Sequence, residues 1–411
     1  MYDFANSSFT TLIVTVAYSV YFVQVVAQGL PEGTAERLWF WGYGGSMLVA
    51  AVLAPILGAI ADARANKRAF LIRCTVICVI STSLLAWVKA GDITEGLLLF
   101  GIGNIAFDLG FMFCSAFLVE IATPQTMGRI SGYGWGLGYL GGLLSLAFAF
   151  PFIRNGFAES NLPWYRASFA MTAVFFLVAS LPTLILLRER ATPQAVDQST
   201  WREAFRRLAS TARQFRQYRD LFAYLVAYLI YTDAINTVIV ASAIFANKVL
   251  DFTPSDLIIY FLVTQTTAAL GAVGFGILAD RIGAKRTISF TLLVWIVLAG
   301  SAALVQTHAQ FYGIGLVAGA VLGANQSASR TLLGRFTPSG RQAEFFGFFS
   351  VTGKFAAVIG PIVYGEVTAW SGSQRWAIVS MLAFFLIGLV ALQMVDEERG
   401  MTAASETGYR L

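Results

Sequence analysis

The stretch Gly58-Ala-Ile-Ala-Asp62-Ala-Arg-Ala-Asn-Lys67-Arg68-Ala69 returns 218 residues later as Gly276-Ile-Leu-Ala-Asp280-Arg-Ile-Gly-Ala-Lys285-Arg286-Thr287. Glycine, alanine, aspartate, lysine and arginine hold the same places in both copies, and each copy joins two long apolar runs. A charged loop repeated between apolar runs predicts two similar membrane halves in parallel orientation, an arrangement typical of transporters. Chance similarity of two basic loops is the alternative, and the period that organises the rest of the chain argues against it.

The composition excludes a soluble fold. Of 411 residues, 57% are hydrophobic and 12% are charged, whereas a soluble domain carries roughly 25% charged residues. The expected class is therefore an all-α polytopic membrane protein. The net charge of +5 comes from basic loops, so it indicates membrane orientation and no nucleic-acid partner.

Cysteine and histidine give no support for a metal site or a cofactor. Cys74, Cys78 and Cys114 fall inside apolar runs, where they are expected to act as small packing residues. The single histidine, His308, sits among short polar residues in a loop. We therefore expect neither a disulfide nor a zinc site.

Twelve apolar stretches have about the 20-residue length that a bilayer requires. In the first half they run from Phe4 to Ala27, Phe40 to Ala61, Phe70 to Val88, Leu97 to Ile121, Ile130 to Phe152 and Tyr165 to Leu187. In the second half they run from Leu221 to Ala246, Leu257 to Ala279, Thr287 to Val305, Phe311 to Leu333, Phe345 to Tyr364 and Trp376 to Met394. They predict two pseudo-symmetric six-helix bundles.

The division into domains follows from these spans. We expect an N-terminal bundle over 1–187, a linker over 188–220, a C-terminal bundle over 221–395 and a tail over 396–411. Lysine and arginine are dense in the repeated loops and in the linker, so the positive-inside rule places both termini in the cytoplasm, with the bundles in a bacterial inner membrane. In the linker, the apolar stripe from Trp201 to Phe215 predicts an amphipathic helix on the inner leaflet, with a partner-binding helix as the alternative.

Charged and polar groups within the spans are candidates for function because burying them in a bilayer is costly. They gather on the first, fourth, seventh and tenth spans, plus one lysine on the eleventh, which predicts a lined central cavity. The candidates for substrate binding or coupling are Asp3, Asn6, Asn104, Asp108, Tyr231, Asp233, Asn236, Gln326, Arg330 and Lys354. The alternatives are salt bridges or amide bonds that serve packing alone and, for Asp3, an exposed residue at a helix end.

Two of these residues carry specific expectations. Lys354 needs a compensating charge, and Asp233 in the same half is the expected partner. Asp108 has no cation nearby in the sequence, so its neutral form should be favoured, which makes it the candidate proton carrier. Separately, the row Gly134, Gly138 and Gly142 predicts a close-packed helix seam that could slide.

Enzyme function is not indicated. The sequence holds no Ser/His/Asp set and no metal cluster, and its glycine patterns do not follow a strand. With no nucleotide site, transport would be secondary, driven by an ion or solute gradient.

The repeated Gly-x-x-x-Asp-x-x-x-x-Lys-Arg loop resembles the signature of the major facilitator superfamily, and the resemblance covers the whole chain. Within it, the opening Tyr2-Asp-Phe-Ala-Asn-Ser-Ser-Phe9 is similar to that of the unknown major facilitator family, which includes the fungal autophagy-related vacuolar amino-acid effluxers. Three further motifs resemble that family: Gly323 to Arg330, Phe345 through Lys354 to Pro361, and the Tyr-x-Asp run ending at Thr237. Tyr139 stands where the superfamily's antiporter motif has proline, so this motif does not indicate antiport.

The resemblance implies a carrier that works by alternating access. The expected substrate is a small polar or zwitterionic solute, most of all an amino acid, and the expected coupling ion is the proton. The protein is expected to be a monomer surrounded by membrane lipids. Sugars or phosphorylated solutes also suit a cavity with both charge signs. A carrier of lipid or cell-envelope precursors and a non-transporting receptor or scaffold are the alternatives.

The resemblance also implies roles for the repeated loop. Asp62 would bond to the inner end of the eleventh span and latch the halves, while Arg64, Lys67 and Arg68 would reach the lipid headgroups. Asp280, with Lys285 and Arg286, would do the same between the eighth and fifth spans. The full gating set is Gly58, Asp62, Lys67, Arg68, Gly276, Asp280, Lys285 and Arg286.

Overall fold

A computed structural model describes residues 1–31, 33–190 and 217–408. Its helices in the first half are α1 Tyr2–Val26, α2 Thr34–Ala63, α3 Lys67–Trp87, α4 Ile93–Ile121, α5 Met127–Ile153 and α6 Leu162–Leu186. Those in the second half are α7 Arg219–Leu250, α8 Pro254–Ile282, α9 Ala284–Leu304, α10 His308–Arg335, α11 Gln342–Ser371 and α12 Gln374–Gln393. A last helix, α13, covers Glu397–Gly408.

The predicted all-α polytopic class is confirmed. Within the described residues, eleven helices are long and apolar enough to cross a membrane. The exception among the twelve is α10, which has 28 residues but carries Asn325, Gln326 and Arg330 near its end. Its polarity comes from residues that the sequence predicts to line a cavity.

Two of the helices depart from regular α-helical geometry within the span. Helix α1 contains π-helical turns over Phe9–Val16 and Phe22–Val26. Helix α11 consists of two segments, Gln342–Phe355 and Ile359–Ser371, with a break between them. Smaller departures occur near the ends of α3, at Leu85–Trp87, and of α4, at Phe117. A break leaves backbone groups without their usual partners, and a bilayer offers no water to replace them.

The halves meet backbone to backbone on one side of the membrane. We call this the latch side, defined by the ends of α2 and α8 that carry Asp62 and Asp280. A Cβ added to Gly58 would lie 2.3 Å from the carbonyl oxygen of Ala343 on α11. One added to Gly132 of α5 would lie 2.4 Å from that of Ala272 on α8. Only glycine permits these approaches.

The glycine row Gly134, Gly138 and Gly142 is a packing seam, as predicted. However, two of its three glycines pack against a helix of their own half. Gly138 and Gly142 lie against α1, where added Cβ atoms would meet Asp3 O at 3.3 Å and Thr11 Oγ1 at 2.9 Å. The seam between the halves is the neighbouring row, which begins at Gly128 and includes Gly132 and Gly136.

Away from the latch side, α2 and α11 separate. A crevice of ≈ 340 Å³ lies between them, bounded by residues that include Tyr43, Met47, Phe355 and Val358. The second segment of α11 has little contact with α2. The halves are thus joined on the latch side and parted on the other.

The ends of the second half are tied together by the tail. Arg399 of α13 donates to both carboxylate oxygens of Asp220 at the start of α7, at 2.6 and 2.7 Å. The amphipathic helix predicted between Trp201 and Phe215 lies outside the described residues.

The close backbone contact between the halves can be tested with two alanine substitutions. One lies in the seam that faces the other half, and the other lies at an exposed position. Gly132→Ala should lower the melting temperature of the detergent-purified protein, because overpacking against backbone costs about 1–3 kcal/mol. Gly274→Ala should keep or raise it, since nothing lies within 4 Å of a Cβ there and alanine favours a helix. Equal melting temperatures for the two variants would contradict the close backbone contact.

Candidate substrate-binding site

A cavity of ≈ 270 Å³ lies between α2, α4 and α5 of the first half and α7, α10 and α11 of the second. Its walls combine aromatic residues with polar and charged ones. The aromatic side chains that line it are Phe111, Trp135, Tyr228, Phe346 and Phe349. A cavity at the junction of the halves is where alternating access requires a solute site.

An ion pair crosses this cavity from one half to the other. Lys354 Nζ of α11 lies 2.7 Å from Asp108 Oδ2 of α4, and the two side chains are 11% and 15% exposed. The expected pairing of Lys354 with Asp233 is therefore wrong. The premise that Asp108 lacks a cation is also wrong, because Lys354 reaches it from the other half.

Asp233 serves the backbone instead. Its Oδ2 accepts the N–H of Gly360 at 2.8 Å, and Nδ2 of Asn236 donates to Ala356 O at 2.6 Å. Both contacts fall on the break in α11. The break presents unpaired N–H and C=O groups, which explains why an acid and an amide are placed opposite it.

A second ion pair closes the cavity on the latch side. Arg330 of α10 donates through Nη1 to Asp3 Oδ2 at 2.9 Å and through Nη2 to Ser131 O at 2.8 Å. Its guanidinium also lies 5.4 Å from the ring centre of Trp135. Asp3 is 8% exposed, so the alternative of an exposed helix-end residue is wrong.

Gly134 leaves the space that this pair occupies. A Cβ there would lie 2.4 Å from Asp3 Oδ2 and 2.5 Å from Arg330 Nη2. Any side chain on this face of α5 would displace one partner of the ion pair.

The structure brings five of the ten candidates to the cavity. These are Asp108, Asn236, Gln326, Arg330 and Lys354. Asn104 instead donates to Ser46 Oγ at 2.9 Å, and Tyr231 shares a hydrogen bond of 2.9 Å with Ser329 Oγ, so both make packing contacts. Asn6 is buried, and its Nδ2 has no hydrogen-bond partner in the described part of the chain. Binding roles for all ten remain predictions.

The polar groups of the cavity that the sequence reasoning missed include Ser115 Oγ and Trp135 Nε1. Both are buried and have no hydrogen-bond partner among the described residues, and both residues line the cavity. Buried polar groups are normally paired, so these two are available to a bound solute. The position of Ser115 two turns after Asp108 on α4, and of Trp135 beside Gly134, was the signal that could have found them.

The first latch places a carboxylate at the start of α11. Asp62 accepts the N–H groups of Ala343 at 3.1 Å and Glu344 at 2.8 Å, where the helix dipole favours negative charge. Lys67 is fully buried beside Asp62 at 3.6 Å and Glu189 at 3.3 Å, and it also contacts Glu120. The expected headgroup role of Lys67 is therefore wrong. Arg68 donates to Leu184 O at 2.9 Å, at the end of α6.

The second latch has the same carboxylate but a different cation. Asp280 accepts the N–H groups of Gly128 at 2.7 Å and Arg129 at 2.9 Å, at the start of α5. Arg335 of α10 lies 3.7 Å from Asp280 and 2.6 Å from Glu397. Lys285 is half-buried and donates through Nζ to Val395 O at 2.6 Å, and its expected headgroup role stays a prediction. Arg286 is exposed.

Two six-helix halves, latched by a repeated acidic loop around a central cavity, define a major facilitator transporter. The fold is similar to that of the proton:xylose symporter XylE, with a TM-score of 0.74 at 16% identity over 99% of this chain and 96% of that one. Its apolar helices and this fold make the chain an integral multi-pass membrane protein. As in the superfamily, it is a carrier and not an enzyme.

Within that class the chain belongs to the family described as vacuole effluxer Atg22 like, whose model matches residues 43–127 and 122–405. It is 29% identical to the MFS-type transporter YxiO of Bacillus subtilis (strain 168) over 97% of this chain and 94% of that protein. It is 25% identical to autophagy-related protein 22 of Kluyveromyces lactis, over 67% of this chain and 60% of the fungal protein. The resemblance stated from the sequence motifs is confirmed.

The ion pair predicts non-additive stability. Lys354→Met or Asp108→Asn alone should each lower thermal stability, because a lone buried charge costs about 3–5 kcal/mol. The double variant should be more stable than either single variant. Lys354→Met with Asp233→Asn is the control, and its effects should add because these residues are not paired. Additive effects for Lys354 and Asp108 would contradict the pairing.

The first latch predicts a defect in coupling and not in binding. Asp62→Asn loses one of the two oxygens that cap α11, so transport should fall severalfold while the solute's equilibrium affinity stays within about tenfold. Asp256→Asn is the matched control, since Asp256 caps α8 at its other end, away from the latch. Loss of solute binding in Asp62→Asn would place Asp62 in the site.

Proposed function

We propose that this protein transports a small zwitterionic solute of the amino-acid class by alternating access. The observation that carries the proposal is the ion pair between Asp108 and Lys354, which joins the halves across the central cavity. A zwitterion brings one charge of each sign. Its carboxylate can bind Lys354 and its ammonium can bind Asp108, so that opening the pair leaves no charge uncompensated.

The other groups of the cavity suit the same solute. Ser115 Oγ and Trp135 Nε1 offer hydrogen bonds that have no partner in the described residues. The aromatic residues of the cavity would pack an apolar side chain of the solute. The feature that favours an amino acid over a sugar is the ion pair, because its two charges match the two charges of a zwitterion.

The size of the cavity disfavours the alternative of a lipid or cell-envelope precursor. At ≈ 270 Å³ it lies just below the usual range of ligand pockets, which is about 300–1,000 Å³. A lipid-linked precursor would exceed it. The ≈ 340 Å³ crevice between α2 and α11 shares Met47 and Lys354 with the cavity and offers an entry path from the parted side.

The direction of transport and the orientation are part of the proposal. The family's description as vacuole effluxers supports export, and the basic loops support cytoplasmic termini under the positive-inside rule. The latch side would then be cytoplasmic, and the described state would face outward. We propose a monomer, since each chain holds a complete cavity.

Proton coupling is proposed at Asp108. When the halves rock and Lys354 moves away, the buried carboxylate must take another cation, and a proton or the ammonium of the solute can serve. Competition of the two for one carboxylate would couple their movements. Asp108 is proposed for this role because its ion pair with Lys354 opens when the halves move. The sequence alone indicates the same role on a different premise, the absence of a basic residue near Asp108 along the sequence.

The proposal is tested by counterflow in proteoliposomes that contain the purified full chain. Vesicles loaded with each of the amino acids in turn are mixed with the same amino acid in labelled form, and uptake by exchange is measured. We expect exchange for neutral amino acids with apolar side chains and none in Lys354→Met. A receptor or scaffold would show no exchange for any solute, and exchange of sugars alone would overturn the solute class.

Asp108→Asn separates binding from coupling. Accumulation driven by a pH gradient should be lost, because an amide takes no proton. Exchange at saturating solute should persist with KM raised about tenfold or more, as expected for one lost hydrogen bond to a charged group. Accumulation that survives with an unchanged pH profile would exclude the proton role of Asp108.

A further inference from the structure

The break in α11 lies directly after Lys354. The first segment ends at Phe355 and the second begins at Ile359. A break leaves the last C=O groups of one segment and the first N–H groups of the next without helical partners. In a membrane span each of these must find a partner in the protein.

Helix α7 supplies partners to both sides of the break from one face. Asn236 Nδ2 donates to Ala356 O at 2.6 Å, and Asp233 Oδ2 accepts from Gly360 N at 2.8 Å. The two residues are three positions apart, so they lie one above the other on α7. We call this pair of contacts the α11 clip.

The close approach of α7 and α11 at the clip depends on a glycine. A Cβ at Gly360 would lie 2.1 Å from Thr237 Oγ1 and 3.0 Å from Asp233 O. On the other side of the break, the ring of Phe349 stacks on Tyr228 with centroids 4.2 Å apart. Both segments of α11 are therefore fixed to α7 around the break.

The clip determines where Lys354 points. Lys354 lies two residues before Ala356 in the last turn of the first segment, and its Nζ reaches Asp108 at 2.7 Å. If α11 were one continuous helix, the turn that carries Lys354 would have no break after it. If the break were not held by α7, this turn would be free to rotate. Since α7 and α11 belong to the same half, the clip stays closed while the bond to Asp108 opens.

We propose that Asp233 and Asn236 are positioning residues, which hold the break of α11 so that Lys354 points into the cavity. Asp233 acts through its oxygen as a helix cap and not through its charge. No cation lies within ion-pair distance of its carboxylate in the described part of the chain. The α11 clip thus sets the reactivity of Lys354 by fixing the turn that carries it, although Asn236 also lines the cavity.

The test measures Lys354 directly and needs no solute. The reconstituted full chain is treated with the amine reagent sulfo-N-hydroxysuccinimide acetate, and acetylation of Lys354 is followed by mass spectrometry. In Asp233→Ala and Asn236→Ala, Lys354 should react about fivefold faster than in the unaltered chain, the factor expected for one lost buried hydrogen bond. Asp233→Asn should restore the slow rate, because an amide oxygen also caps a helix N-terminus.

Asn161→Ala is the matched control. Asn161 also makes a buried amide bond, from Nδ2 to Gly156 O at 2.8 Å, and it lies at the start of α6, whose main contacts are with α1, α3 and α5. Its loss should change stability by a similar amount and leave Lys354 labelling within about twofold. If Asn236→Ala does not fold, Asn236→Leu removes the donor at similar size without adding a charge and should give the same faster labelling.

Three outcomes would overturn the inference: unchanged labelling in the clip variants, equal acceleration in Asn161→Ala, or failure of Asp233→Asn to restore the slow rate. A measurement of amino-acid exchange with the clip variants rests on the proposed function, whereas the labelling does not. In that measurement the clip variants should raise KM more than they lower the maximal rate. If the unaltered chain exchanges no amino acid, the proposed function fails while the labelling still decides the role of the clip.

Discussion

A charge inside a bilayer must be compensated within the protein, and this constraint organises the junction of the two halves. Asp108 meets Lys354, and Asp3 meets Arg330, each pair joining one half to the other. Neither partner can leave without exposing the other to an apolar surround. The movement of the halves is therefore tied to whatever replaces a partner, which is how a bound solute can influence the conformation of the whole molecule.

The same constraint explains why an acidic residue on α7 has a structural role. Asp233 looks like a binding residue in the sequence because it is an acid in a membrane span, yet its oxygen pairs with the backbone of α11 at Gly360. A broken helix creates a demand for an acceptor that a carboxylate satisfies well. Polar residues in a span thus divide into those that compensate charges and those that complete the backbone.

Much of the architecture was predictable because it rests on local patterns. The repeated loop and the apolar runs predicted two six-helix bundles, and the clustering of polar residues on four spans predicted a cavity between them. The partner of Lys354 was not predictable, because hydropathy and periodicity carry no information about which residues of opposite halves face each other. The burial of Lys67 was missed for the same reason: Glu120 and Glu189, which surround it, lie on α4 and after α6.

The backbone contacts on the latch side have a consequence for the energy of closure. Where Gly58 meets Ala343 and Gly132 meets Ala272, there are no side chains to lose rotamer freedom when the halves come together. Ordering a long side chain costs up to about 2 kcal/mol of entropy, and glycine contributes none of it. The backbone contacts therefore add little side-chain entropy cost to closure, and that cost falls instead on the long side chains ordered on the same side, such as Lys67 and Arg335.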